Sequence, residues 1–173
     1  MGIKADKNNS KYIKEFVLQS KEVIEEQILY FLNAVGLKAL EIARTNGDYT
    51  DRTGNLRSSV GYIVFKGTKP IEQGGFDANE NEATGDSKDG ITGATDGKDL
   101  AIELGKELDN PYSLIVVAGM FYAEYLEWGA YSTIKSKRTV NKKTYDVLTS
   151  ARIEAEIYAQ QLFNKLNERV QGI

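Results

Sequence analysis

One stretch of helical periodicity near the start of the chain constrains the fold more than any other feature. Its apolar residues recur at three- and four-residue spacing, in the set Tyr12, Ile13, Phe16, Val17, Val23, Ile24, Ile28, Phe31, Leu32, Val35, Leu40 and Ala43. Ser10 is placed to cap this helix, Gly36 to bend it, and Asn46-Gly47 to end it. At about 1.5 Å per residue, residues 10–44 would span roughly 50 Å, which exceeds the width of a domain this size. We therefore expect the helix to protrude or to lie across a neighbouring subunit.

The remaining pattern predicts a small sheet and a second long helix. Runs of β-branched and aromatic residues predict strands at 60–65 and 112–119. Short helices are predicted at 100–108 and 121–128, and a long one at 143–170 with the apolar face Leu148, Ala151, Ala155, Tyr158, Leu162 and Leu166. This order predicts one α+β domain over residues 1–173, in which a small antiparallel sheet packs with long N-terminal and C-terminal helices.

The segment from Gly67 to Asp99 differs from the rest in composition. Its 33 residues hold seven glycines, eight acids and three lysines, a net charge of −5. Because few of these residues can anchor a core, we expect a long, flexible acidic loop insertion between elements. A second charged loop, between 129 and 143, is basic and is expected to be solvated; it carries Lys135, Lys137, Arg138, Lys142 and Lys143.

The absence of two residue types limits the metal sites and catalytic groups that the chain can form. The chain of 173 residues and 19.2 kDa has no cysteine and no histidine. Thiolate and imidazole metal sites and the Ser-His-Asp triad are therefore excluded, and any catalysis would have to use carboxylates, Lys, Tyr or Ser. The spacing fits neither a calcium loop at Asp77 nor a phosphate loop at Gly97-Lys98, so we expect no metal and no cofactor.

The net charge and the hydropathy of the chain argue against nucleic acid and membranes as binding partners. The net charge is −3, which argues against a broadly basic nucleic-acid-binding surface. The first residues lack the apolar run of a signal peptide, and no apolar stretch approaches the roughly 20 residues that cross a bilayer. We expect a soluble protein without membrane or sequence-specific nucleic-acid binding.

One carboxylate pair stands among aromatic residues. Glu124 and Glu127 are three residues apart, interleaved with Tyr122, Tyr125 and Trp128. Such a pair can serve as acid and base in sugar hydrolysis when burial raises the pKa of one member. Aromatic residues interleaved with charge are also typical of interface anchors, since Tyr and Trp dominate interface energetics. The second interpretation fits this pattern better.

Two segments in order resemble a known family. Residues 51–60, Asp-Arg-Thr-Gly-Asn-Leu-Arg-Ser-Ser-Val, resemble the Thr-Gly-x-Leu-Arg-x-Ser-hydrophobic signature of a phage tail-component family. These are the tail-completion, head–tail joining or tail-terminator-like proteins of long-tailed phages. Residues 117–129 resemble its second signature, a strand followed by Tyr-Ala and then Glu-aromatic-Gly. In the first signature Thr53 is placed to cap a turn, Gly54 to reverse the chain, Leu56 to fill the core and Arg57 to point outward.

The resemblance implies a function and an assembly. The chain would be a non-enzymatic structural protein that completes the tail or joins the tail to the head. The resemblance further implies that it forms a ring, with six subunits, bound to tail-tube or neck proteins. It would be found in the virion, and in the host cytoplasm during assembly. The interface candidates are Arg52, Arg57, Tyr122, Glu124, Tyr125, Glu127 and Trp128. The chain departs from the family pattern at two places: Ala130 stands where the family usually has Thr, and Tyr145 to Ala151 stands where it often has a proline-containing stretch. These departures concern whether the protein lies in the tail or in the neck, rather than its resemblance to the family.

Two other functions compete with this one. The first is a carboxylate-dependent hydrolase that uses Glu124 and Glu127. The second is a monomeric binding module from a mobile element, with the aromatic residues as its recognition surface.

Overall fold

The computed structural model describes residues 7–46, 49, 53–78, 91–128 and 145–171. Five helices and three strands lie in this part of the chain. The helices are α1 (Lys7–Asn46), α2 (Asn55–Ser58), α3 (Ile91–Gly105), α4 (Ala123–Trp128) and α5 (Thr149–Gln171). The strands are β1 (Val60–Lys66), β2 (Lys69–Gly75) and β3 (Tyr112–Ala118). The α+β class, the small antiparallel sheet and the long first and last helices are confirmed.

The sheet has β1 at its centre. Its order is β2-β1-β3 with both pairings antiparallel, and Ile63 stands opposite Gln73 on one side and Ile115 on the other. Side chains alternate between two helical layers, as strand geometry requires. Leu114 and Val116 pack with the C-terminal half of α1 and with α5, whereas Ile115 and Val117 pack with Ala101 of α3. This explains why residues 60–65 of β1 are all buried.

Helix α3 lies directly against backbone, because one of its faces carries only small residues. Gly93, Gly97, Ala101 and Gly105 recur every four residues and are all buried. A Cβ atom on Gly97 would lie 2.2 Å from the carbonyl oxygen of Ser59. Such a distance is far inside van der Waals contact, so glycine is what permits this approach. The amide of Gly93 also donates a hydrogen bond to Asn55 Oδ1 at 2.9 Å.

The Tyr62 ring joins the sheet to α1. A Cβ atom on Gly36 of α1, or on Gly74 of β2, would lie 2.4 Å from that ring. The Tyr62 hydroxyl donates a hydrogen bond to Asn33 Oδ1 at 2.5 Å, and burial raises its pKa. Gly36 therefore makes room for an aromatic ring, and α1 runs through it as one continuous helix.

An ion pair fixes the middle of α1 to the end of β1. Lys66 Nζ donates a hydrogen bond to the Glu25 carboxylate. That hydrogen bond lowers the pKa of Glu25 and raises the pKa of Lys66. Toward its N-terminus from Glu25, almost every described side chain of α1 is exposed.

Several predicted boundaries are wrong, for local reasons. Helix α1 begins at Lys7, so Ser10 lies inside it and does not cap it. The acidic insertion was expected to be irregular, but its first residues pair with β1 as β2, and its last nine form the start of α3. Gly67, with φ of 58°, makes the tight β1–β2 turn that converts the segment into a hairpin. The remainder of that insertion, 79–90, and the basic loop at 129–144 lie outside the described residues.

We predict that Gly97→Ala destabilises the protein. Alanine is the better helix former by about 1 kcal/mol, but its methyl group would collide with the Ser59 backbone. The free energy of unfolding should fall by about 2 kcal/mol or more in urea denaturation. The control is Asp96→Ala at an exposed neighbouring position of α3, which should change it by less than about 0.5 kcal/mol. An unchanged stability in Gly97→Ala would contradict the close approach.

Candidate functional site

A turn after β3 places α4 at the edge of the fold. Gly119 follows the strand, and a Cβ atom on it would lie 2.2 Å from the Gly97 Cα. Its amide donates a hydrogen bond to the Ser59 carbonyl oxygen at 3.3 Å. Met120 and Ala123 are then buried in a cluster with Leu56. The second signature of the sequence is therefore built on the same backbone contact as the first.

Three aromatic side chains form an exposed surface on and beside α4. Phe121 lies in the turn just before α4, and Tyr125 and Trp128 lie three residues apart on α4 itself. They are 82%, 55% and 73% exposed respectively. We call them the aromatic face. Tyr122 is directed differently: it is half-buried, packs against the Leu56 cluster and meets Phe121 edge-on at 5.2 Å between ring centroids.

An open groove of about 750 Å³ lies next to the aromatic face. Its floor comes from α1, β3 and α5, and its rim includes Trp128. Most of the lining is apolar: Val35, Ala39, Leu114, Val116, Ala118, Ala123, Val147, Leu148, Ala151, Ala155 and Ala159. We call it the apolar groove. An open apolar surface of this kind is a natural place for a partner.

Glu127 caps the last helix. Its Oε2 accepts hydrogen bonds from the amides of Val147 and Leu148 at 2.7 and 2.9 Å. Its Oε1 accepts one from Thr149 at 3.1 Å. These amides belong to the start of α5, where a negative charge also meets the positive end of the helix dipole. The carboxylate therefore fixes α5 to α4.

Charged side chains mark the rim of the groove. Glu124 is exposed there, three residues before Glu127. Arg152 and Glu156 also contribute to the lining and pair at 3.7 Å, with both side chains largely exposed. Among the lining residues that the structure describes, three acids and one base thus give a net charge of −2.

The two arginine candidates lie elsewhere. Arg57 was expected to point outward, and this is wrong: it donates a hydrogen bond to the Arg44 carbonyl oxygen at 3.0 Å and lies 5.4 Å from the centroid of the Tyr49 ring. It therefore supports the C-terminal end of α1, where last-turn carbonyls need donors.

Leu56 fills the core as expected, at 2% exposure, and Gly54 has the positive φ of 83° that its turn requires. Thr53 Oγ1 accepts the Asn55 amide at 3.3 Å. Arg52 lies outside the described residues.

A second uncovered surface lies on the N-terminal half of α1. Six apolar residues there follow one side of the helix and are each more than half exposed: Tyr12, Ile13, Phe16, Val17, Val23 and Ile24. We call them the apolar stripe. The sequence pattern identified these residues, but helical periodicity alone does not tell a buried face from an uncovered one.

Sequence reasoning missed two parts of this region. Phe121 was not a candidate, although its spacing from Tyr125 and Trp128 was a usable signal. The β3 residues in the groove carried no signal, because a buried strand and an edge strand look alike in an apolar run.

The described helices include none long and apolar enough to span a bilayer. Within the same residues, acidic side chains do not gather into a group that could hold a metal ion. Comparison with family models, curated proteins and solved structures gives no match for this chain.

We predict that the two glutamates differ in their effect on stability. Glu127→Gln replaces a carboxylate that caps three amides, so the free energy of unfolding should fall by about 1–2 kcal/mol. Glu124→Gln changes an exposed side chain on the same helix and should cost less than about 0.5 kcal/mol. Urea denaturation of both variants at neutral pH measures the difference. Equal losses would show that the Glu127 cap contributes nothing specific.

Proposed function

We propose that this protein is a structural subunit of a tailed phage or prophage, which completes the tail or joins the tail to the head. The observation that carries the proposal is the aromatic face beside the apolar groove. Phe121, Tyr125 and Trp128 are large, exposed and within eight residues of one another, which is the composition of an interface anchor. They fall inside the second signature that resembles the tail-component family.

The arrangement of the two signatures supports the same proposal. The first forms the α2–β1 turn and the second forms the end of β3 with α4, and the Ser59–Gly119 hydrogen bond joins them. Both are needed to present one surface. Their joint occurrence in order is therefore what we expect if the surface, rather than an isolated motif, is what the protein uses.

The hydrolase alternative receives less support from the same residues. A carboxylate pair for sugar hydrolysis needs one member to protonate a leaving group. Both oxygens of Glu127 instead accept backbone amides, so the group is engaged in holding α5. The groove beside it is mainly apolar, whereas sugar hydroxyls call for polar partners.

The test is deletion and complementation in the phage or prophage that encodes the chain. Deletion should leave filled heads beside unattached tails, or tails of uncontrolled length, in electron micrographs of lysates. Complementation with the double variant Tyr125→Ser, Trp128→Ser should fail, because it removes the anchors without touching the core. The matched control is Phe163→Ser on α5, at a residue that is 57% exposed and lies outside the aromatic face; it should restore infectious particles.

Two results would contradict the proposal. Normal virions after deletion would show that no tail or neck step needs the protein, and would favour the monomeric binding module. Full complementation by the double variant would show that the aromatic face is not the anchor.

A further inference from the structure

The apolar stripe exposes a row of hydrophobic side chains to water in the monomer. Its six side chains are between 57% and 70% exposed, on a helical segment with no described neighbour on that side before about residue 25. Helices of about 15 residues are marginal in water without tertiary packing. An aligned set of exposed apolar side chains on such a segment marks an interaction surface.

The stripe cannot reach the apolar groove of its own chain. Phe16 and Ala39 belong to one continuous helix, and Ala39 lines the groove. They are 23 positions apart, which corresponds to about 35 Å of rigid helix. Any occupant of the groove that resembles the stripe must therefore come from another molecule.

The N-terminal segment that carries the stripe and the lining of the groove have net charges of opposite sign. Residues 7–21 hold four lysines and one glutamate, a net charge of +3. Lys14 and Lys21 are both exposed and seven residues apart, so they lie on the same side of the helix, beside the stripe. The described lining of the groove has the opposite sign, with Glu124 exposed there and Glu156 paired with Arg152. Complementary sign at the border of an apolar contact fixes register and orientation.

We infer that the apolar stripe of one copy docks into the apolar groove of a second copy. The contact is heterologous, since one copy contributes a helix and the other a groove. Repeated contacts of this kind close into a ring when the rotation allows it. The inference deepens the proposed function, on which it rests, by naming the two surfaces through which subunits would join.

The test uses the absence of cysteine from the chain. One population carries Phe16→Cys in the stripe, and another carries Ala159→Cys in the groove. After mixing, a short bis-maleimide should give a covalent heterodimer. The matched controls are Glu22→Cys, on the other side of α1, and Ile157→Cys, on α5 outside the groove lining. Heterodimer yield with either control should be lower by about tenfold or more.

A second variant keeps the test independent of cross-linking geometry. Phe16→Glu lies in the exposed half of α1, so the monomer should fold normally by circular dichroism. Self-association measured by sedimentation should weaken by about tenfold or more, as for loss of an aromatic anchor. Raising the salt concentration should weaken the wild-type association as well, since the rim charges are exposed.

Three outcomes would overturn the inference. They are equal yields for stripe and control positions, efficient linkage of Phe16→Cys copies to one another, and unchanged self-association of Phe16→Glu. The proposed function fails separately: normal virions after gene deletion would contradict it even if the copies dock. Failure to dock together with a tail defect would leave the function and reject only this contact.

Discussion

The contact between the backbones of α3 and the α2–β1 turn is the constraint on which the rest of the structure depends. Gly97 lies against the Ser59 carbonyl, and Gly119 lies against Gly97. Side chains larger than hydrogen would push these three segments apart. The contact fixes where β3 ends and where the chain turns into α4. The direction of the aromatic face and one wall of the apolar groove follow from that turn.

A second link carries this constraint to the far helix. Glu127 leaves α4 and accepts three amides at the start of α5, and the Tyr145 amide donates to the Leu126 carbonyl oxygen at 2.9 Å. Helix α5 then packs through Ala151 and Ala155 against the C-terminal half of α1. The groove is therefore bounded by elements that are positioned relative to one another by hydrogen bonds and close packing. A surface of this kind is preorganised for a partner, which reduces the entropy cost of binding.

Much of the fold could be predicted from the sequence, because its long helices have clear periodicity. The β-branched and aromatic composition predicts strands at 60–65 and 112–119, and the structure has them at Val60–Lys66 and Tyr112–Ala118. Strand β2 could not be predicted, because Lys69 to Gly75 contains proline and two glycines, and only pairing with β1 makes it a strand. Gly93 and Gly97 of the small-residue face of α3 were interpreted as loop composition, whereas Ala101 and Gly105 fell in the helix predicted at 100–108. The glycines of this face instead serve a packing contact that single-residue propensities do not encode.

The candidate site was predictable in part. Tyr125 and Trp128 are exposed as an interface anchor should be, whereas Arg57 and Glu127 hold helix ends in place. A charged residue in a motif can bind a partner or satisfy backbone groups, and its sequence neighbours do not distinguish the two. The distinction needs the coordinates of the amides and carbonyls that it meets.

The central claim is that the monomer leaves the apolar stripe uncovered and that assembly covers it. Hydrogen–deuterium exchange across a range of protein concentrations tests this most directly. The account predicts that amides of residues 10–24 exchange rapidly in dilute protein and become protected as concentration rises. Amides of residues 35–43, which are packed within the monomer, should be protected equally throughout. Protection of residues 10–24 that does not depend on concentration would contradict the account.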